Sequence, residues 1–280
     1  PCIYAANHTV VAYSTTDFKR WTDRGVMLGV GTRAQGTLFR PHVVYNPHSD
    51  LYTMWFENFN LTGDPAGCGP ATGGCHYSVA TSPHPAGPWT TVRDATHGAK
   101  FKCSTAEGDF DLFVDANGVG YIVVTPYTEL CIERLTDDFT DGTGETYTIP
   151  GQNLTGVAGE APVMFHRRGL YYVLWGSGCC ACSVGASVFV HVALSPLGPY
   201  RYLGDVGTAP GHKACNPCDG DFVTKAQQSA VFEVGGEMVW VGNQWQSAAD
   251  GQLNHGLLYF SPMSFGSDGS IAHLVWQDAV

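Results

Sequence analysis

The chain has 280 residues and a formal net charge of -11, with 44% hydrophobic and only 14% charged residues. That length supports one large all-β domain or two ordinary ones. An acidic balance without clustered Lys and Arg argues against nucleic acid or an anionic membrane as partner. No apolar run approaches the roughly 18–20 residues that span a bilayer.

In chain order the sequence repeats one form. VVAYSTTDFKRWTDRG (10–25) reads as an outer strand followed by a turn. RPHVVYNPHSDLYTMWFE (40–57) is an apolar strand, a turn at Pro47-His48-Ser49-Asp50 and an aromatic-rich strand, and HYSVATSPHPAGPWTTV (76–92) is again an outer strand and turn. The same pair recurs as DFDLFVDANGVGYIVVT (109–125) with CIERLTDDFTD (131–141), and as APVMFHRRGLYYVLWGS (161–177) with VHVALSPLGPYRYLGD (190–205). It recurs last as QSAVFEVGGEMVWVGNQW (228–245) with GLLYFSPMSFGSDG (256–269). The hairpin turns carry Gly, Asn or Asp where a tight turn needs positive φ.

Hairpins about 50–70 residues apart suit propeller blades with long loops. Four hairpins stand against five outer-strand motifs, and the first motif, around Tyr13, has no hairpin before it. An open four-bladed object would leave strand edges exposed. The pattern therefore predicts an all-β, five-bladed β-propeller forming a single domain over 1–280, with the inner strands of its first blade upstream of Pro1. No segment shows sustained helical periodicity, and no Pro/Ser-rich linker divides the chain.

Aromatics make up 12% of the chain and glycine 35 residues, a profile of β-rich proteins with many turns. Carbohydrate-active proteins share it, since aromatic faces stack on sugars, but a β core uses the same residues. Ten cysteines accompany three sequons, at Asn7, Asn60 and Asn153. An even, high cysteine count with sequons favours a secreted or lumenal protein stapled by disulfides. The opening PCIYAANHTV has no signal-peptide pattern, so a leader would have been removed with whatever preceded Pro1. Zinc is the competing use of CCAC (179–182) and CNPC (215–218). Cys68 and Cys75 bracket GPATGG and would staple one loop; the other pairings are open.

The ordered motifs resemble glycoside hydrolase family 43. YSTTDFKRW (13–21), RPHVVYNPHSDLYTMWF (40–56), ATSPHPAGPW (80–89), GDFDLFVDANGVGY (108–121), EAPVMFHRRGLYYVLWGSG (160–178) and ALSPLGPY (193–200) carry the resemblance collinearly over nearly the whole chain. It implies a five-bladed β-propeller. Within the family the pattern is most similar to the exo-β-1,3-galactanase branch, which implies a secreted, inverting, exo-acting glycosidase on galactan. An α-L-arabinofuranosidase or β-xylosidase of the same family, and a non-catalytic glycan-binding propeller, are the alternatives.

Inverting hydrolysis needs a protonated carboxylic acid beside the leaving oxygen and a group that activates water on the opposite face. Glu160, at the mouth of an apolar hairpin, resembles the family's general acid, and the apolar setting would favour its protonated form. Asp109 matches the aspartate that tunes that acid's pKa. Gly108 stands where the family has Arg, and Asp111 is the competitor that strand alternation puts on the same face. The family's usual Asp base belongs to the first inner strand. In the galactanase branch a Gln serves instead, for which Gln228 is the match and Gln227 the register alternative. A neutral amide would position the water or act through its imidic acid form.

The resemblance assigns Glu57 to sugar hydroxyls, and Tyr77 is a candidate sugar contact in the same pocket. Ser177 and Trp175 are weaker candidates for substrate binding, Trp175 being explained as well by a core position. GNQW (242–245) departs from the branch's usual sequence, which puts sugar contacts there in doubt. His255 reads either as an axial histidine that holds calcium or water or as a core histidine. The expected partner is an oligo- or polysaccharide, with no nucleic acid, membrane or cofactor, and the chain is read as a monomer.

Overall fold

A computed structural model describes residues 7–33, 36–59, 75–94, 97–103, 108–125, 129–149, 159–177, 185–212, 222–245, 247–251 and 257–277. Their regular structure is β-strand, apart from one 3-10 turn at Val30–Thr32. No helix among them is long and apolar enough to cross a membrane. By contact the chain forms two compact units, one of residues 1–107, 114–122 and 133–145, the other of 108–113, 123–132 and 146–280.

The first unit opens with the hairpin of β1 (Val10–Ser14) and β2 (Thr22–Leu28). A four-stranded antiparallel sheet follows, formed in chain order by β3 (Thr37–Asn46), β4 (Leu51–Phe59), β5 (Cys75–Ser82) and β6 (Thr90–Arg93). Met54, Trp55 and Phe56 are consecutive and all fully buried. A strand covered on both faces has no need of polar alternation. Met54, Phe56 and Ala80 pack on one face with Leu28, Leu38 and Trp89, while on the other Trp55 meets Phe101 edge-on.

The second four-stranded sheet contains β7 (Phe110–Val114), β8 (Gly120–Val124), β9 (Leu130–Leu135) and β10 (Gly142–Ile149) in that spatial order. Glu133 of β9 is fully buried. Its Oε2 accepts the N–H of Cys103 and its Oε1 that of Gly144, both at 2.8 Å. Nothing in the sequence marks this glutamate as structural, yet those two bonds satisfy polar oxygens that would otherwise be costly to bury.

The second unit holds the sheet of β11 (Gly159–Arg167), β12 (Leu170–Ser177), β13 (Phe189–Ala193) and β14 (Arg201–Asp205). Beside it lies the three-stranded sheet of β15 (Gln227–Val234), β16 (Glu237–Gln244) and β17 (Leu257–Pro262). Their hairpins turn where the sequence predicts. Arg168 and Gly169 have φ of 49° and 81°, and Gly235 and Gly236 have 58° and 86°. Paired positive φ is the two-residue turn that matches strand twist. Tyr172, Leu174, Val190, Val192, Trp240 and Met263 share one core.

Strands β3 and β11 are edge strands of their sheets, which is where Pro41 and Pro162 are tolerated, because no neighbour needs their N–H. Each strand also has a register break, between Phe39 and His42 and between Glu160 and Val163. The residue before each proline takes positive φ, 50° at Arg40 and 54° at Ala161. The motif R-P or A-P at the head of a hairpin is thus a bulge that re-aims the side chain before it.

Cys103 and Cys131, whose pairing the sequence left open, are each disulfide-bonded. Cys68, the side chain of Cys75, CCAC, CNPC and His255 lie outside the described residues, as do the sequons at Asn60 and Asn153.

Candidate active site

The bulge at the start of β11 builds the site. Glu160 pairs in register with Gly176 of β12, and Ala161 behind it is fully buried. Two side chains from distant sequence clamp Ala161. Its N–H donates to Asp109 Oδ2 at 2.8 Å, and its carbonyl accepts Gln228 Nε2 at 2.5 Å. A non-glycine residue in the left-handed region costs about 1 kcal/mol or more, and bonds at both ends of the residue hold it there. Asp111, two residues beyond Asp109, accepts the Met164 N–H at 2.7 Å through Oδ2. Alternation along this segment brings both aspartates to β11, Asp109 to Ala161 beside Glu160 and Asp111 to Met164.

Gln227 makes the direct contact with Glu160: its Nε2 donates to Glu160 Oε2 at 2.8 Å. Gln227 Oε1 in turn accepts the indole N–H of Trp245 at 3.2 Å. Gln228 is 1% exposed, and its Oε1 is buried with no hydrogen-bond partner. The two adjacent glutamines thus do different things. Gln227 touches the carboxyl group, whereas Gln228 holds the backbone behind it.

The floor beneath Glu160 is tight. A Cβ on Gly159 would come within 1.9 Å of the Trp175 ring. Trp175 is 2% exposed, stacks edge-on with Phe189 and donates its indole N–H to His191 Nδ1 at 3.3 Å. It is packing under the site. Burial lowers the His191 pKa to about 4, so the ring is neutral and its Nδ1 lone pair is available to the indole.

In the first unit, Glu57 of β4 stands directly across from Tyr77 of β5. Both are buried, at 4% and 3% exposure, and Tyr77 meets Phe101 edge-on with ring centroids 5.0 Å apart. Ser177 ends β12 opposite Gly159, and its side chain lies outside the described residues. Sequence reading did not reach the Trp245–Gln227 contact. Its only trace was the tryptophan closing GNQW, which in register falls diagonally opposite Gln227.

The chain matches the family model described as Glycosyl hydrolases family 43 over residues 4–241. No curated protein matches the sequence. Among solved structures it is similar to a GH43 β-1,3-galactosidase determined with galactodeoxynojirimycin, with a TM-score of 0.77 at 21% identity over 99% of this chain and 88% of that one. It is similar to an exo-β-1,3-galactanase from Clostridium thermocellum, with a TM-score of 0.70 at 20% identity over 95% of this chain and 55% of that one. It is also similar to the Phanerochaete chrysosporium exo-β-1,3-galactanase determined with galactose, with a TM-score of 0.71 at 19% identity over 96% and 57%. The chain spans little more than half the length of the two galactanases.

Proposed function

This chain belongs to glycosyl hydrolases family 43, a family of β-propeller glycoside hydrolases, and on that premise we propose that it is a secreted, inverting, exo-acting hydrolase of β-1,3-linked galactan. The carrying observation is Glu160, raised on the β11 bulge and fixed through Gln227, with Asp109 bonded to the next residue. The galactosidase and galactanases of similar fold support the choice of galactan.

Glu160 is the general acid. It gives its proton to the glycosidic oxygen as the bond from the anomeric carbon breaks, and water attacks that carbon from the opposite face. The proton the water then loses passes to solvent, from which Glu160 is reprotonated for the next turnover. Asp109 fixes the bulge and, by its own negative charge, favours the protonated form of Glu160. Gln228, the family resemblance's water-positioning glutamine, holds the Ala161 carbonyl and orients the attacking water through its amide. Glu57, Tyr77 and Ser177 bind sugar hydroxyls. On the same reading the β1–β2 hairpin is part of a fifth blade, and the disulfide-bonded Cys103 and Cys131 fit an oxidising, extracellular setting.

Glu160→Gln tests this. General acid catalysis contributes roughly 10²–10⁴-fold, so turnover of β-1,3-galactooligosaccharides falls by at least about a hundredfold while thermal unfolding is unchanged. An unaltered rate refutes the assignment. Parallel assays on arabinan and xylan oligosaccharides separate galactan from the alternative substrates of the family, and saturable binding without turnover of any of them points to a glycan-binding propeller.

A further inference from the structure

The amide of Gln227 has two unlike ends, and rotating it by half a turn exchanges them. Trp245 decides which end faces Glu160. Gln227 pairs with Asn243 across β15 and β16, and Trp245 follows two residues later, so it extends the same face. An indole nitrogen can only donate. With Trp245 Nε1 on Gln227 Oε1 at 3.2 Å, the amide NH2 must turn away, and it donates to Glu160 Oε2 at 2.8 Å. The turn that carries Trp245 is itself tied down. Its carbonyl accepts the Ala248 N–H at 3.2 Å, and Ser247 Oγ donates to the carbonyl of Lys225.

From this chain of contacts we infer that Trp245 is a positioning residue for catalysis: it locks the Gln227 amide so that it donates to Glu160 and cannot accept the acid's proton. The inference rests on Glu160 being the general acid. In the locked orientation Oε2 is an acceptor and the acidic proton sits on the other carboxyl oxygen. In the flipped orientation Gln227 Oε1 faces Glu160 and accepts its O–H, turning the proton away from the glycosidic oxygen. The indole N–H removes that second state, because flipping would set NH2 against N–H.

Trp245→Phe keeps the ring and removes the donor, and the full chain is assayed on two substrates. A β-1,3-galactooligosaccharide leaves as an alkoxide and needs the proton, whereas a dinitrophenyl β-galactoside leaves without it. The expected result is a fall in kcat of about tenfold on the oligosaccharide, equivalent to one misdirected hydrogen bond. KM stays within about twofold, and the rate on the aryl galactoside changes by less than about twofold. In a Gln227→Met background, Trp245→Phe adds no further loss, since coupled residues are not additive. An equal loss on both substrates, or additive losses in the double variant, overturns the proposal.

Two further measurements separate this result from the reading beneath it. If Glu160→Gln lacks the leaving-group-dependent loss, the general-acid assignment fails and the role of Trp245 with it. If Glu160→Gln shows that loss and Trp245→Phe does not, the Trp245 proposal alone fails. Independently of activity, the NMR resonance of the Trp245 indole proton moves upfield in Gln227→Met, as expected when its acceptor is removed; an unmoved resonance overturns the contact.

Discussion

Asp109 Oδ2 accepts the backbone N–H of Ala161 at 2.8 Å, bridging 52 residues of sequence to hold the peptide directly behind Glu160. The carboxylate holds a left-handed residue in place, and on the proposed reading it has a second, separable role, its negative charge favouring the protonated acid.

Substitution separates them. Asn at position 109 keeps an acceptor for the Ala161 N–H and loses the charge; Ala loses both. Asp109→Asn is expected to unfold within about 1 °C of the parent, yet to hydrolyse galactooligosaccharides at least about tenfold more slowly. Asp109→Ala is expected to lose a further 1–3 kcal/mol of stability, the usual cost of a buried donor left unpaired. Thermal unfolding and steady-state kinetics on both variants check this. If Asn restores full activity, the contribution of Asp109 is geometric alone.

Gly159 makes a second prediction about the same strand. A methyl group there would lie 1.9 Å from the Trp175 ring, so either the indole or the head of β11 must move. Gly159→Ala is expected to cost about 2–3 kcal/mol, in the range for overpacking a dense core, and to lower activity by displacing Glu160. Adding Trp175→Leu makes room for the methyl. The double variant should then be less destabilised than the sum of the two single variants, as measured by chemical denaturation. Additive losses would mean that the two residues do not share the space.

Acid stability depends on His191. Burial holds its pKa near 4 in the folded protein, against about 6.5 in an unfolded chain. Between those values the unfolded state binds more protons, so stability falls as pH drops from about 6.5 to about 4 and levels off below. The full effect is about 3 kcal/mol. Protonation would also put a donor against the donating indole of Trp175, which bonds His191 Nδ1. In His191→Gln the amide oxygen accepts the indole N–H and does not titrate. Denaturation midpoints at pH 7 and pH 4.5 should converge less for the parent than for this variant, and parallel shifts would exclude His191 as the source.

Legibility of the sequence differed by level. Strand runs and turns were readable because they rest on local chemistry. Arg168-Gly169 and Gly235-Gly236 announce tight hairpins through backbone preference, and LYTMWFE announces an aromatic-rich strand. Glu160 was singled out by its place in the EAP motif of the family resemblance; its local setting alone also fits a solvated loop glutamate. The division of labour between Gln227 and Gln228 was not readable, since adjacent residues on a strand point to opposite faces and one register step exchanges them. The bulges decide that step, and they show only in the fold.

The sequence by itself determined an all-β chain of repeated hairpins and a carboxylate set apart from its apolar surroundings, because periodicity, turn residues and polarity act over a few neighbouring positions. Tertiary structure decided which distant groups meet that carboxylate. Asp109, Gln227, Gln228 and Trp245 reach Glu160 and Ala161 only when separate sheets pack side by side. Hydrogen bonds depend on tenths of an ångström and on which end of an amide faces its partner, and no spacing along the chain encodes either.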